Sequence, residues 1–287
     1  MRRRFLMSMR VCVLGSGSRG NCTLVQSEHT NLLVDAARLG KKYIQEQLET
    51  LDVSLDHIHG IVATHIHGDH VDAGTTARLC HKFDIPLYVH YDSYADLLRR
   101  SPKFEALKAA GLVRLFDFAP FAVGDMTVTP FPVTHGGEFG NDIVGRPVGY
   151  TVSHVNGGAP RKVGFTTDLG HVTRDIEDSL AHSDAIIMEC NHDVETERNS
   201  TRPYFLVRWV MGPRGHLSND QCGQALCNIV RRSQGAVRHI VLAHLSEDCN
   251  TPDLARGTVQ NHLHAANLSG IPLHVASQRQ KTEIIEI

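Results

Sequence analysis

The stretch Thr64-His65-Ile66-His67-Gly68-Asp69-His70 places three imidazoles and one carboxylate within six consecutive residues. Imidazole nitrogens and carboxylate oxygens bind divalent transition metals in proteins, so this density predicts a metal site. On a loop, His65 and His67 can turn toward one ion while Asp69 and His70 face a second ion beside it. A histidine-rich surface loop is the alternative, which the 19 histidines of this chain keep open.

The flanking residues predict where this stretch lies in the fold. Gly60 to Ala63 is a short apolar run that is typical of a buried strand, and Val71 to Phe83 is predicted to be a helix. The candidate ligands are therefore expected on a strand-to-helix loop.

Three further candidate ligands lie downstream, and each follows a run that is typical of a β-strand. The candidates are His135, Asp168 and His244, and the runs are Met126 to Val133, Val163 to Thr167 and His239 to Leu245. Taken singly, each has a simpler explanation, such as a helix N-cap for Asp168. Because sheets place reactive side chains where strands end, the conjunction predicts one shared site.

In this order of residues the chain resembles the metallo-β-lactamase-fold hydrolases, in which a His-x-His-x-Asp-His motif precedes a single His, a single Asp or Cys, and a last His. The resemblance implies an α/β fold, a metallo-β-lactamase-type four-layer αββα sandwich. It also implies two metal ions, one bound by His65, His67 and His135 and the other by Asp69, His70 and His244, with Asp168 between them. An Asp at the bridging position favours dinuclear phosphodiesterases, thioesterases and lactonases over the lactamases.

Four segments are similar to the YycJ (WalJ) branch of that fold, whose members are described as metal-dependent DNA exonucleases. The segments are Gly15-Ser16-Gly17-Ser18-Arg19-Gly20-Asn21, Asn191-His192-Asp193, Gly215-His216-Leu217-Ser218-Asn219 and Leu242-Ala243-His244-Leu245-Ser246-Glu247-Asp248. This resemblance extends from about Met9 to the C-terminus, and it implies DNA as the partner.

The predicted catalytic residues are Asp69 and His216. Ser218-Asn219-Asp220-Gln221 is typical of a capping box, so His216 is expected just before a helix N-terminus. Helix N-termini attract phosphate, and a histidine there can protonate a leaving oxygen. Packing at the turn is an equally good explanation of His216.

Six residues are candidates for contact with substrate. They are Ser16, Ser18, Asn21, His192, His216 and Ser218. The first three lie on a glycine-containing loop that can approach phosphate, but a hairpin turn between the strands Val11 to Leu14 and Cys22 to Gln26 would also require glycine.

Two other positions carry more general expectations. Asp35 follows a buried strand and is expected to support the His65 loop without being catalytic. Trp209, with Tyr204 and Phe205, is expected in the core and not as a base-stacking platform.

Composition is that of a soluble enzyme, since 287 residues with 41% hydrophobic content can bury a large core. We expect a single domain from residue 9 to 287, preceded by a flexible extension from Met1 to Ser8. Two β-rich halves with outer helices are expected to form it. The net charge of −2 argues mildly against a nuclease, because DNA affinity must then come from a local patch.

The cysteines and the lengths of the apolar runs indicate where in the cell the protein is expected. The odd number of cysteines, seven, argues against a disulfide framework, which favours the cytoplasm. No apolar run is long enough for a signal peptide or a membrane span, so membrane partners are not expected.

These features lead to three hypotheses of function. The first is a DNA exonuclease that uses a hydroxide held between two divalent ions, zinc or manganese, to cleave phosphodiester bonds. The second is a small-substrate hydrolase of the same fold, such as a cyclic-phosphate diesterase, thioesterase or lactonase. The third, a binding protein with a vestigial metal site, is disfavoured by the complete ligand set.

Overall fold

A computed structural model describes residues 9–137, 144–155 and 160–287, so the predicted extension from Met1 to Ser8 lies outside the described residues. Within these ranges, two seven-stranded sheets pack face to face. Helices cover the outer face of each sheet, and three apolar layers separate the four layers of secondary structure. The predicted four-layer αββα sandwich is therefore confirmed.

The first half of the chain supplies six strands, and the second half supplies eight. The six are β1 (Arg10–Gly15), β2 (Cys22–Gln26), β3 (Asn31–Val34), β4 (Gly60–Val62), β5 (Leu87–His90) and β6 (Val113–Phe116). The eight are β7 (Phe121–Val123), β8 (Met126–Pro132), β9 (Val148–His154), β10 (Arg161–Thr166), β11 (Ala185–Glu189), β12 (His239–Ala243), β13 (Leu273–Val275) and β14 (Ile285–Glu286).

Each sheet combines an antiparallel part with a parallel part. The first sheet has the order β14-β1-β2-β3-β4-β5-β6, and the second has the order β13-β12-β11-β10-β9-β8-β7. In the first sheet, strands β3 to β6 are parallel, and in the second, strands β10 to β13 are parallel. The last strand, β14, returns to the first sheet and pairs with β1.

The helices of the first half are α1 (Lys41–Glu49), α2 (Thr76–Phe83), α3 (Tyr91–Arg100) and α4 (Pro102–Ala109), and those of the second are α5 (Arg174–Leu180), α6 (Val194–Arg198), α7 (Tyr204–Val210), α8 (Asn219–Arg232) and α9 (Pro252–Ala265). All but α6 and α7 share an apolar layer with the sheet of their own half. The predicted capping box is confirmed, because the Ser218 side chain and Gln221 cap α8 reciprocally.

The central strands are almost entirely apolar because their side chains point alternately to two covered faces. In β11, Ile187 lies in the layer between the two sheets, whereas Ile186 and Met188 lie against the outer helices. Successive side chains of a strand point to opposite faces, so a strand covered on both faces has no polar side.

The carboxyl ends of the parallel strands of both sheets meet at one end of the sandwich. Three residues within two positions of the ends of such strands, Asp35, Asp168 and His244, have positive φ angles of 56°, 57° and 54°. Residues other than glycine rarely adopt this conformation, which costs on the order of 1–3 kcal/mol and is concentrated at functional sites. Six other described residues besides glycine share this conformation, and these three are the ones that lie at strand ends around the candidate ligands.

The predicted helix from Val71 is wrong at its beginning, because α2 starts at Thr76. The Asp72 carboxylate accepts hydrogen bonds from the backbone N–H groups of Gly74 and Thr75. Such local bonds compete with helical ones, so the residues before Thr76 form turns.

The prediction that the aromatic residues around Trp209 lie in the core is also wrong for two of them. Tyr204 is 76% exposed and Phe205 is 62% exposed. Helix α7 buries Val207 and Val210 instead, and Trp209 is half-buried.

The seven cysteines are all free and buried. Among the described residues, none of the helices combines the length and the apolar character needed to cross a bilayer.

Tyr150 links the two sheets close to the metal loop, and its replacement tests this packing. Its side chain is fully buried and its hydroxyl donates to the Ala63 carbonyl. Tyr150→Phe removes the donor from a buried carbonyl, so we expect the free energy of unfolding to fall by about 1–3 kcal/mol. Urea denaturation measures the change, and Tyr91→Phe at a 57% exposed position is the control. Equal stability of the two variants would contradict this role of Tyr150.

Candidate metal centre

The loop that follows β4 is fixed in place by one buried carboxylate. Asp35 accepts hydrogen bonds from the backbone N–H and the hydroxyl of Thr64, each at 2.9 Å. Its Oδ2 also lies 2.8 Å from Nδ1 of His70. Asp35 therefore supports this loop, as predicted, and it does so through Thr64 and His70.

Four of the five predicted histidine ligands are held at Nδ1 by an oxygen atom. The pairs are His65 with Thr64 Oγ1 at 3.1 Å, His70 with Asp35 Oδ2 at 2.8 Å, His135 with the Gly215 carbonyl at 2.9 Å and His244 with Glu189 Oε1 at 3.1 Å. An acceptor at Nδ1 fixes the tautomer that carries its proton there. In the neutral form of each ring, Nε2 is then the nitrogen without a proton and can bind a metal ion.

These Nε2 atoms converge on the two carboxylates of the predicted ligand set. His70 Nε2 lies 3.0 Å from Asp168 Oδ2 and 3.6 Å from Asp69 Oδ2. His135 Nε2 lies 3.6 Å from Asp168 Oδ1, and His244 Nε2 lies 3.6 Å from the same oxygen. In a tetrahedral zinc site with bonds of about 2.1 Å, ligand atoms are separated by roughly 3.4 Å, so the spacing suits a metal ion.

All seven predicted ligands come together in overlapping groups whose candidate ligand atoms lie within 4.8 Å of one another. The groups are His65 with His67 and His135, Asp69 with His70 and His244, His65 with His70 and Asp168, and Asp168 with Glu189, His216 and His244. Each of the first two groups has the composition implied for one ion, and Asp168 belongs to the other two. The clusters are therefore suited to binding metal ions.

One buried atom tests whether this donor set fits a cation. Within the described residues, His244 Nε2 is buried without a hydrogen-bond partner, although it lies 3.6 Å from Asp69 Oδ2. A buried polar atom without a partner is costly. A cation between His244 and the two carboxylates would satisfy it, so the residues fit a metal ion.

The electrostatics of the cluster require positive charge. Burial alone would raise the pKa of Asp69, but His70 and His244 outweigh it and lower that pKa to about 2. Burial alone would lower the pKa of His244, but the nearby carboxylates of Asp168, Asp69 and Glu189 raise it to about 10. Divalent cations supply the required charge while they leave the imidazoles neutral and able to bind.

Two other buried imidazoles, His65 and His135, are kept neutral by burial. Burial lowers the pKa of His135 to about 4, and it lowers the pKa of His65 well below the usual range. Neutral imidazole is the form that binds metal, so these positions favour a cation over a proton.

Glu189 is a functional candidate that the sequence analysis missed. Its carboxylate is fully buried, and Oε1 lies 2.7 Å from His216 Nδ1 and 3.1 Å from His244 Nδ1. Oε2 accepts the backbone N–H groups of Leu169 and Leu217, each at 3.1 Å. Burial alone would raise its pKa, but His216 and the hydrogen bond with His244 lower it to about 2. The only sequence signal is a charged residue at the end of the apolar run of β11.

His216 lies beside the cluster, just before α8, as its position before the capping box predicts. Its ring stacks on His244 with centroids 5.4 Å apart and planes at 24°, and it lies 5.0 Å from His135. Because Glu189 holds Nδ1, Nε2 is the ring nitrogen left for other partners.

The loop from Gly15 to Asn21 is the hairpin connection between β1 and β2. Ser16 Oγ accepts the backbone N–H of His244 at 2.9 Å, and the Asn21 side chain lies 3.0 Å from His70 Nε2. The Ser16 hydroxyl also donates to Asn21 Oδ1 at 3.1 Å. These two residues tie the loop to the cluster, and among Ser16, Ser18 and Asn21 only Ser18 is exposed.

Two other candidates for substrate contact are buried, and this argues against a direct contact. His192 is 1% exposed, and Ser218 is 3% exposed. The hydroxyl of Ser218 accepts the backbone N–H of Gln221, so it caps α8. A short β-bridge joins His192 to Ser218, so both residues support the segment that carries His216.

Comparisons with known proteins agree with this geometry. Residues 30–244 match the family described as the Beta-lactamase superfamily domain. The chain is 30% identical to the exodeoxyribonuclease YycJ of Bacillus anthracis over 262 residues, which cover 90% of each chain. It is 27% identical to the exodeoxyribonuclease WalJ of Streptococcus pneumoniae over 264 residues, which cover 91% of each.

The fold is also similar to a solved structure, that of the metallo-beta-lactamase fold protein YhfI from Bacillus subtilis. The two superpose with a TM-score of 0.68 at 18% identity and cover 98% of this chain and 100% of YhfI.

Asp35 offers a test of the centre that does not depend on activity. Asp35→Asn replaces the carboxylate that holds His70 Nδ1, so we expect metal affinity to fall by about 10- to 100-fold. Competition with a chromophoric zinc chelator measures this affinity. The control is Asp125→Asn, because Asp125 lies 3.6 Å from His154 outside the cluster. Unchanged affinity in Asp35→Asn would show that this carboxylate does not position His70 for metal.

Proposed function

The chain belongs to the beta-lactamase superfamily and is a metal-dependent hydrolase, and from this we propose that it cleaves phosphodiester bonds in DNA as an exonuclease. The observation that carries the substrate is the 30% identity, over 90% of both chains, to a protein named as an exodeoxyribonuclease. The converging imidazoles and carboxylates support the hydrolytic chemistry.

We further propose a centre for two divalent ions. His65, His67 and His135 would hold one ion, Asp69, His70 and His244 would hold the other, and Asp168 would contact both. Five imidazoles favour zinc, but a mixed set with carboxylates also suits manganese. When bound, such ions lower the pKa of water and neutralise the charge that develops on phosphate oxygens.

The remaining residues of the site orient the ligands and handle a proton. Glu189 holds both His244 and His216 through their Nδ1 atoms, so it aligns a ligand and a neighbouring ring together. His216 in its protonated form, with Nδ1–H on Glu189, then donates its Nε2 proton to the oxygen that leaves as the phosphodiester breaks. Asp35 and Thr64 keep His65 and His70 in register.

A substrate panel tests the proposal directly. We expect the purified, metal-loaded protein to shorten end-labelled DNA and to lose this activity with EDTA, since the ions supply the nucleophile. Asp168→Ala should lose both bound metal and DNA cleavage. The panel includes RNA, bis-p-nitrophenyl phosphate, a thioester and a lactone. Turnover of a small substrate by protein that leaves single- and double-stranded DNA intact would establish the small-substrate alternative instead.

The role of His216 is tested by the leaving group. In His216→Ala we expect kcat on DNA to fall by about 10²- to 10⁴-fold, because the sugar oxygen requires a proton as it leaves. Hydrolysis of bis-p-nitrophenyl phosphate should change far less, because p-nitrophenolate leaves without protonation. Metal content should match that of His262→Ala, a control on the outer helix α9. If the rates on both substrates fell equally, His216 would instead have a role in binding metal or in maintaining the structure.

A further inference from the structure

We propose that α7 and the segment around it form a docking platform for single-stranded DNA, which leads an unpaired end of the substrate to the metal centre. Tyr204 and Phe205 would stack on bases, and Arg208 and Arg214 would contact phosphates. This inference rests on the proposed nuclease function, and it names the form of DNA that the centre receives.

The first observation is the exposure of two adjacent aromatic rings. Tyr204 and Phe205 are 76% and 62% exposed, so most of each side chain is accessible to a ligand. Proteins that bind single-stranded nucleic acid use such rings as surfaces on which bases stack. An exposed aromatic pair beside a candidate nuclease centre therefore suits unpaired bases.

The second observation is a local excess of positive charge. Residues 198–214 contain Arg198, Arg202, Arg208 and Arg214 but no acidic residue, whereas the whole chain has a net charge of −2. This is the local patch that a nuclease of weakly acidic composition needs.

Two of these four arginines are available for phosphate. Arg198 is paired with Glu195 at 3.1 Å and Arg202 with Asp248 at 2.9 Å. Across residues 9–137, 144–155 and 160–287, no ion pair is formed by the other two, Arg208 and Arg214. The Arg208 guanidinium lies 5.9 Å from the centroid of the Tyr204 ring, which places a cation and a stacking surface side by side.

The third observation is a groove of about 480 Å³ along this patch. Arg198, Arg202, Tyr204, Arg208 and Met211 contribute to its lining. A groove of this size lies within the range of small-molecule sites, so it can receive a nucleotide unit of a strand.

The platform is joined to the centre through the backbone. The N–H of His216 donates to the Val210 carbonyl, and the N–H of Gly136 donates to the Arg214 carbonyl, each at 2.8 Å. A Cβ at position 215 would lie 2.1 Å from the Trp209 carbonyl oxygen, so glycine there permits close contact with the end of α7. The platform is therefore hydrogen-bonded to the segments that carry His135 and His216.

Trp209 lies on the same helix as Tyr204 and Phe205, and its ring contacts two histidine rings at the metal centre. Its ring lies 5.4 Å from that of His216 and 5.9 Å from that of His135. A strand that stacks on Tyr204 and Phe205 can thus follow α7 past Trp209 to the metal centre.

Arg202 fixes the other side of the platform. Its guanidinium bonds to the buried Glu197 at 3.0 Å, to Asp248 at 2.9 Å and to Ser246 Oγ at 3.2 Å. Ser246 and Asp248 follow the last predicted ligand, His244, so the same segment positions platform and ligand.

The aromatic pair is tested with Tyr204→Ala combined with Phe205→Ala in the metal-loaded protein. We expect KM for labelled single-stranded DNA to rise about tenfold or more, because the stacking free energy of the bases on these two rings is lost. KM for blunt duplex DNA should rise less, and the rate of hydrolysis of bis-p-nitrophenyl phosphate should be unchanged. Leu254→Ala, at a 43% exposed apolar position on α9, is the matched control, and Tyr204→Phe should retain affinity.

The contribution of arginine to DNA binding is tested with Arg208→Ala, and the control is Arg231→Ala at an exposed position near the end of α8. Only Arg208→Ala should weaken DNA binding, and it should reduce the slope of log affinity against log salt concentration by about 0.7. Fluorescence anisotropy with a nuclease-resistant phosphorothioate strand measures binding without cleavage.

The combined readouts separate the two proposals. If the wild type cleaves DNA and the aromatic double variant keeps KM within about twofold, the platform is refuted and the nuclease function stands. If the wild type binds the strand through these residues but cleaves no DNA, the platform stands and the nuclease function fails. If it neither binds nor cleaves DNA, both fail, and the exposed rings serve another partner, such as a protein.

Discussion

The burial of several carboxylates at one end of the sandwich is the constraint on which the rest of the structure depends. Asp168 and Glu189 are almost fully buried, and Asp69 lies beside them. Buried charges are stable only when they are paired or bind metal. The surrounding imidazoles meet part of this requirement and bound cations would meet the rest, and strands, loops and caps bring the imidazoles and carboxylates together.

Neither half of the chain contains a complete site. The first half contributes the loop from His65 to His70, and the second contributes His135, Asp168 and His244. The packing between the sheets, with the Tyr150 hydroxyl on the Ala63 carbonyl, therefore sets the geometry of the centre as well as the stability of the fold. The positive φ angles of Asp35, Asp168 and His244 follow from the need to turn each side chain inward at a strand end.

Short sequence patterns predicted the features of the fold that depend on residues close together in the chain. The strands, the capping box at Ser218 and the convergence of the ligand residues follow from alternation, spacing and the order of motifs. Glu189 was missed because its role depends on His216 and His244, which are distant in sequence. Tyr204 and Phe205 were misjudged because an aromatic run has the same composition whether a helix turns it inward or outward.

The attachment of α7 has a consequence for how this scaffold can diverge. The Val210 carbonyl and the Trp209 ring of α7 contact His216, whereas Tyr204, Phe205 and Arg208 form the outer surface of the helix. Substitutions on the outside can therefore alter what is captured while the catalytic apparatus keeps its shape. Evolution, or a protein engineer, could retarget such an enzyme by rewriting a single helical turn.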